Sequence, residues 1–179
     1  MLGWTGVQLS AMGLILSVVA VGGSMLGGFL DDRLGSKASL KISIVGCIFA
    51  NLLLVTIGPD TVLFVATDPH VTGGLFPRAA DKAFFVAEGL AAFFVTSGLV
   101  SSRTMLAKLA PRDAMNELFG IYALSGTATS FMGPLSIAVL TQVFASQRAG
   151  LCAGLVFLGG GLYLLQRVRG GRSTTDQGA

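Results

Sequence analysis

The chain has 179 residues, of which 53% are hydrophobic and only 12% charged, and its formal net charge is +3. A soluble domain carries about 25% charged residues, so half of the usual charge is missing. With a mean hydropathy of +0.77, this excludes a water-soluble globule, and the expected fold class is an all-α membrane protein.

Crossing the hydrocarbon core takes about 20 mostly apolar residues in a helix. Five segments qualify: 7–29, 40–57, 83–106, 118–144 and 150–165. Together they predict a transmembrane bundle over residues 1–169. The first segment starts beside Trp4, whose amphipathic indole suits the headgroup region. No basic region or small-residue cleavage site accompanies it, so it reads as a span and not as a signal peptide.

Between the first and second segments the chain reads G-F-L-D-D-R-L-G-S-K-A-S-L, residues 28–40. Gly28, Asp32, Arg33, Gly35 and Lys37 fill every place of a recurring signature: Gly, three residues, Asp, a base, one residue, Gly, one residue, a base. This loop resembles the one that joins the second and third helices of each half in the major facilitator superfamily. The resemblance implies a conformational latch. Asp32 would sit near the positive N-terminal end of the next helix, and Arg33 and Lys37 would pair with acidic groups on neighbouring helices. Breaking those pairs would let the halves rock. The plainer alternative is a solvated polar turn. Asp31, the neighbouring acid, receives no role.

The stretch 58–82 is expected to be an extracytoplasmic loop, because Pro59, Asp60, Asp68, Pro69, Gly73, Gly74 and Pro77 all break regular structure. Its apolar piece 61–66 is too short to cross. His70 has no metal-ligand spacing around it and reads as an exposed loop residue. In the third segment Glu88 is the acid set deepest in an apolar span. Intramembrane acids are functional candidates by default; the competing reading takes Glu88 to the outer interface. Arg103, near the inner end, either meets an anionic group or reaches headgroups.

The fourth segment contains E-L-F-G-I-Y-A-L-S-G-T-A-T-S-F-M-G-P, residues 117–134. Phe119, Gly120, Tyr122, Ala123, Leu124, Ser125, Gly126, Thr129, Ser130, Phe131, Gly133 and Pro134 match a run in the vacuole-effluxer-like branch of the facilitators, relatives of the autophagy-linked amino-acid permeases. Ser102-Arg103 and Ser146-Gln147-Arg148 add to the similarity. Where that branch often has Lys after Ser-Gly, this chain has Thr127. Read physically, Tyr122, Ser125, Thr129 and Ser136 recur at helical intervals and set hydroxyls on one stripe, as a cavity wall would. Gly126, Ser130 and Gly133 suit close approach by another helix, and Gly133-Pro134 suits a kink. The alternative is that these small residues only pack helices.

Loop charges set the expected orientation, because cytoplasmic connections hold the excess of Lys and Arg. Arg33, Lys37, Lys41, Arg103, Lys108, Arg112, Arg167, Arg169 and Arg172 fall on one side. Arg78, Lys82 and Arg148 fall on the other. The expectation is a multi-pass protein of the plasma or inner membrane, N-terminus outside and C-terminus cytoplasmic, ending in a disordered tail over 170–179. This asymmetry accounts for the net positive charge without nucleic acid.

The resemblance implies most of the C-terminal six-helix half of a facilitator, lacking that half's first helix. Its function would be secondary active transport of small solutes, amino acids foremost, by alternating access. Its partners would be the lipid bilayer, the solute, protons as a candidate coupling ion, and the missing N-terminal half. The alternative is a non-transporting membrane remnant or an associating subunit. Cys47 and Cys152 have no partner spacing, and no nucleophile elbow, phosphate loop or metal cluster is present. No cofactor, metal or enzymatic activity is therefore expected.

Overall fold

The computed structural model describes residues 5–58, 61–63, 65–66, 78–144 and 147–168. Trp4, His70, Ser146 and the tail 170–179 lie outside them, as do the side chains of Gln147 and Arg148. Five helices form: α1 (Gly6–Leu34), α2 (Ser36–Thr56), α3 (Ala79–Leu109), α4 (Met115–Val143) and α5 (Gln147–Arg167). All five are long and apolar enough to cross a membrane, as an all-α membrane protein requires.

The helices outrun their apolar cores. At 1.5 Å per residue, the 31 residues of α3 span about 46 Å against a hydrocarbon core of about 30 Å. Their ends therefore project, or the helix tilts. This corrects the loop expected over 58–82: residues 79–82 are already helical. Asp81 sits in the first turn of α3, where the helix dipole favours an acid, and its Oδ2 lies 3.4 Å from Arg78 Nε. Within the loop a ribbon forms in which Thr61 pairs with Ala66 and Val62 with Val65.

Local chemistry explains the helix boundaries. Thr5 caps α1, accepting from Gln8 N at 3.4 Å, while Gln8 Oε1 accepts from Thr5 N at 2.8 Å. This reciprocal box satisfies two donors that the first turn leaves open. Gly35 ends α1 and starts α2 with φ 82° and ψ 153°, a region only glycine occupies without strain. A two-helix corner with no linker is possible for that reason. The three glycines Gly159, Gly160 and Gly161 do not interrupt α5, which runs unbroken through them.

Packing is uneven. Helices α1, α2 and α3 form a tight triangle, α5 leans on α2, and α4 packs on α5 while barely touching α3. Close approach inside the triangle depends on missing side chains. A Cβ on Gly27 would lie 2.8 Å from Ser97 O, one on Gly23 would strike the Phe93 carbonyl, and one on Gly46 would strike the Phe94 ring. Gly23 to Phe93 and Gly27 to Ser97 share an offset of seventy residues, a parallel α1–α3 seam.

The α2–α3 seam runs the other way and is polar. Ser39 Oγ lies 2.7 Å from Ser101 Oγ, and Ser43 Oγ lies 2.9 Å from Ser97 Oγ. All four serines are buried. Interhelical hydrogen bonds in membranes average about 0.6 kcal/mol, so these two contribute on the order of 1 kcal/mol. The larger gain is the close backbone approach that small residues permit.

Candidate functional site

The loop signature folds around Gly35, but the face it buries is set by neighbouring residues. Asp32 and Arg33 are exposed, with Arg33 stacked over the Phe29 ring at 4.2 Å. Nothing lies within 4 Å of a Cβ placed on Gly28. Gly23, Gly27 and Asp31 instead form the buried stripe of α1, spaced four residues apart. Asp31 is only 3% exposed, and its Oδ2 accepts from Lys108 Nζ at 2.9 Å. Its Oδ1 is buried with no partner among the described residues.

Lys37 donates to the Val168 carbonyl at the end of α5 and forms no ion pair among the described residues. A helix C-terminus carries open carbonyls and partial negative charge, so a cation is well placed there. The expected pairing of Arg33 and Lys37 with carboxylates is thus replaced by a ring stack and a helix cap. Among the described residues, the ion pair that joins two helices belongs to Asp31 and Lys108. A Gly-x3-Gly-x3-Asp spacing at 23, 27 and 31 was available in the sequence to point to this face.

The α4 hydroxyls also find partners. Ser125 donates to Tyr122 O at 2.9 Å, Thr127 to Ala123 O at 2.9 Å, and Thr129 to Ser125 O at 2.8 Å. Ser130 donates to Thr127 O and Ser136 to Met132 O, both at 2.7 Å. These five hydroxyls are satisfied by their own helix, which removes much of the cost of facing lipid. No residue of α4 is buried. The close approach expected at Gly126 and Gly133 is not found, since nothing comes within 4 Å of a Cβ there. The α4–α5 contact uses Gly150 instead, where a Cβ would lie 2.9 Å from Ile137 O. Pro134 lies inside α4, which continues through it as one helix.

Tyr122 departs from the stripe by reaching another helix. Its hydroxyl lies 2.8 Å from Ser102 Oγ and ties α4 to α3 near their shared turn. Arg103, one residue on, is exposed. Glu88 is partly buried on α3 and makes no hydrogen bond or ion pair among the described residues. The described residues hold no group of three or more His, Cys, Asp or Glu able to bind a metal.

Comparison with known proteins supports the resemblance. A Bacillus subtilis (strain 168) protein named as an uncharacterized MFS-type transporter, YxiO, is 27% identical over 167 residues. That alignment covers 89% of this chain but 33% of the relative, so the chain spans about a third of the relative's length. No solved structure matches the chain. The profile described as vacuole effluxer Atg22 like matches residues 1–178, and the chain belongs to that family of facilitator-type membrane proteins.

Proposed function

We propose that the chain acts as part of a secondary transporter that moves small solutes, amino acids foremost, by alternating access. The observation that carries this reading is the family match over residues 1–178, supported by the printed name of the relative. In the orientation expected from loop charges, the N-terminus is outside and the loop at Gly35 is cytoplasmic.

The geometry suits a latch at that loop. Asp31 fastens it to α3 through Lys108, and Lys37 fastens it to the end of α5. The tight triangle of α1, α2 and α3 would move as one piece, while α4 and α5 would shift against it. Such a shift must break the bond from Lys37 to Val168. A hydrogen bond to a charged group contributes about 1.5–3 kcal/mol, an amount that differential solute binding can overcome.

The test is counterflow of a labelled amino-acid mixture in proteoliposomes holding this chain. Saturable, protein-dependent uptake supports transport. Uptake no greater than that of empty liposomes across a broad solute panel counts against it.

A further inference from the structure

We propose that Glu88 is the recognition carboxylate for a solute ammonium group, taken up in exchange for the carboxyl proton; this deepens the transporter reading and rests on it. The argument starts from depth. Glu88 lies nine residues beyond Ala79, where α3 begins, so it sits about 14 Å along a helix that overhangs a centred hydrocarbon core by about 8 Å at each end. The carboxyl is therefore inside the hydrocarbon. Its side chain is also shorter than the Lys and Arg stems that snorkel out.

Direction comes next. Gly89 faces Leu16 of α1, Phe94 packs on Gly46 of α2, and Ser97 is buried against Gly27 and Ser43. At 100° per residue, Glu88, Val95, Leu99 and Ser102 fall within about 60° of one another on the remaining face. Val95 and Leu99 are each 48% exposed there, and Ser102 holds Tyr122. Stepping in antiparallel register from Ser102 and Tyr122, Val95 corresponds to Thr129 and Glu88 to Ser136. Glu88 thus lies on the face of α3 that α1 and α2 leave open, the same face whose other end meets α4 through Ser102 and Tyr122.

Charge completes the case. Among the described residues, no cation pairs with Glu88 from any element packed on α3. The charged groups of α1 are Asp31, Asp32 and Arg33, and those of α2 are Lys37 and Lys41, all at the far end. Cys47 is the thiol of α2, and α4 offers Glu117 and Tyr122 near its start. β1 (Thr61–Val62) has no ionisable group. On α3 itself, Arg78 and Asp81 pair at the outer end, Lys82 lies beside them, and Arg103 and Lys108 lie at the other end. An ionised carboxylate left alone in hydrocarbon is costly, so the empty site holds a neutral acid. When R-NH3+ arrives, the O–H bond breaks, the proton leaves to solvent, and the carboxylate pairs with the ammonium. For a simple amine such as isobutylamine charge balances, because one cation enters and one proton leaves.

The experiment measures binding and proton release together, with the purified full chain in weakly buffered detergent near pH 7. The probes are L-leucine, isobutylamine and 4-methylpentanoate, the last lacking the amine. Expected is release of about one proton per bound amine and none with 4-methylpentanoate. Glu88→Gln should release none and bind amines about thirtyfold more weakly or worse, while Glu88→Asp keeps the release. Thermal melting of both variants separates loss of the site from loss of fold. Amine binding without proton release, equal release from Glu88→Gln, or equal binding of 4-methylpentanoate overturns the inference alone. Failure of the wild-type chain to bind any probe overturns the transporter reading with it.

Discussion

Lys108 Nζ lies 2.9 Å from Asp31 Oδ2 and joins the C-terminal ends of α1 and α3 across 77 residues of sequence. The pair is lopsided, since Asp31 is buried while the Lys108 side chain is 53% exposed. Removing the lysine leaves a buried, uncompensated carboxylate, a change that costs about 3–5 kcal/mol in buried pairs. Exposure of Lys108 places the expected loss toward the lower end. Lys108→Ala should therefore lower the melting temperature in detergent, and Asp31→Asn added to it should restore most of the loss. Asp32→Asn, at an exposed carboxylate, should leave melting unchanged.

Gly27, on the buried stripe, and Gly28, beside it, should behave in opposite ways. Gly27→Ala drives a methyl onto the Ser97 backbone, and such overpacking costs about 1–3 kcal/mol. Gly28→Ala meets open space, and a helix interior favours Ala over Gly by about 1 kcal/mol. Thermal melting of the two variants should move down for the first, and stay level or rise for the second.

The serine seam should prove weaker than it looks. Ser39→Ala and Ser101→Ala each remove one partner of the same 2.7 Å bond. A double-mutant cycle on folding free energy should give a coupling of about 0.6 kcal/mol. Ser39→Leu should be far worse than Ser39→Ala, because Ser39 is fully buried and the seam depends on small size. A coupling several times larger would mean that hydrogen bonding, and not backbone approach, holds α2 to α3.

Orientation is open to direct labelling. In intact cells, a membrane-impermeant maleimide should label Leu63→Cys from outside and leave Lys41→Cys and Asp113→Cys unlabelled until the membrane is opened. Labelling of Lys41→Cys and Asp113→Cys from outside, with Leu63→Cys protected until the membrane is opened, would reverse the orientation expected from the loop charges.

Much of the fold was legible because hydropathy and charge are strong signals in lipid. The five apolar segments reappear as α1 to α5, and Gly35 stands where only glycine fits. What escaped was which side of each helix turns inward. A signature match names Gly28 and Asp32, but burial follows the four-residue spacing of Gly23, Gly27 and Asp31, which a local motif does not report. Lys108 lies 77 residues from Asp31, and its partner depends on how α3 docks. The α4 hydroxyls mislead in another way: their spacing suggests a cavity wall, yet Ser125, Thr129 and Ser136 donate to carbonyls about one turn earlier in the same helix. Hydropathy marks only the apolar part of α3 from residue 83, whereas the helix begins at Ala79 with Asp81 in its first turn, where an acid is favoured.

The most direct test of the proposed transport role is counterflow in proteoliposomes preloaded with unlabelled amino acids. Expected is saturable uptake of labelled amino acid by the wild-type chain, strongly reduced in Lys108→Ala at matched protein content. Wild-type vesicles indistinguishable from empty ones, across the whole solute panel, would contradict it.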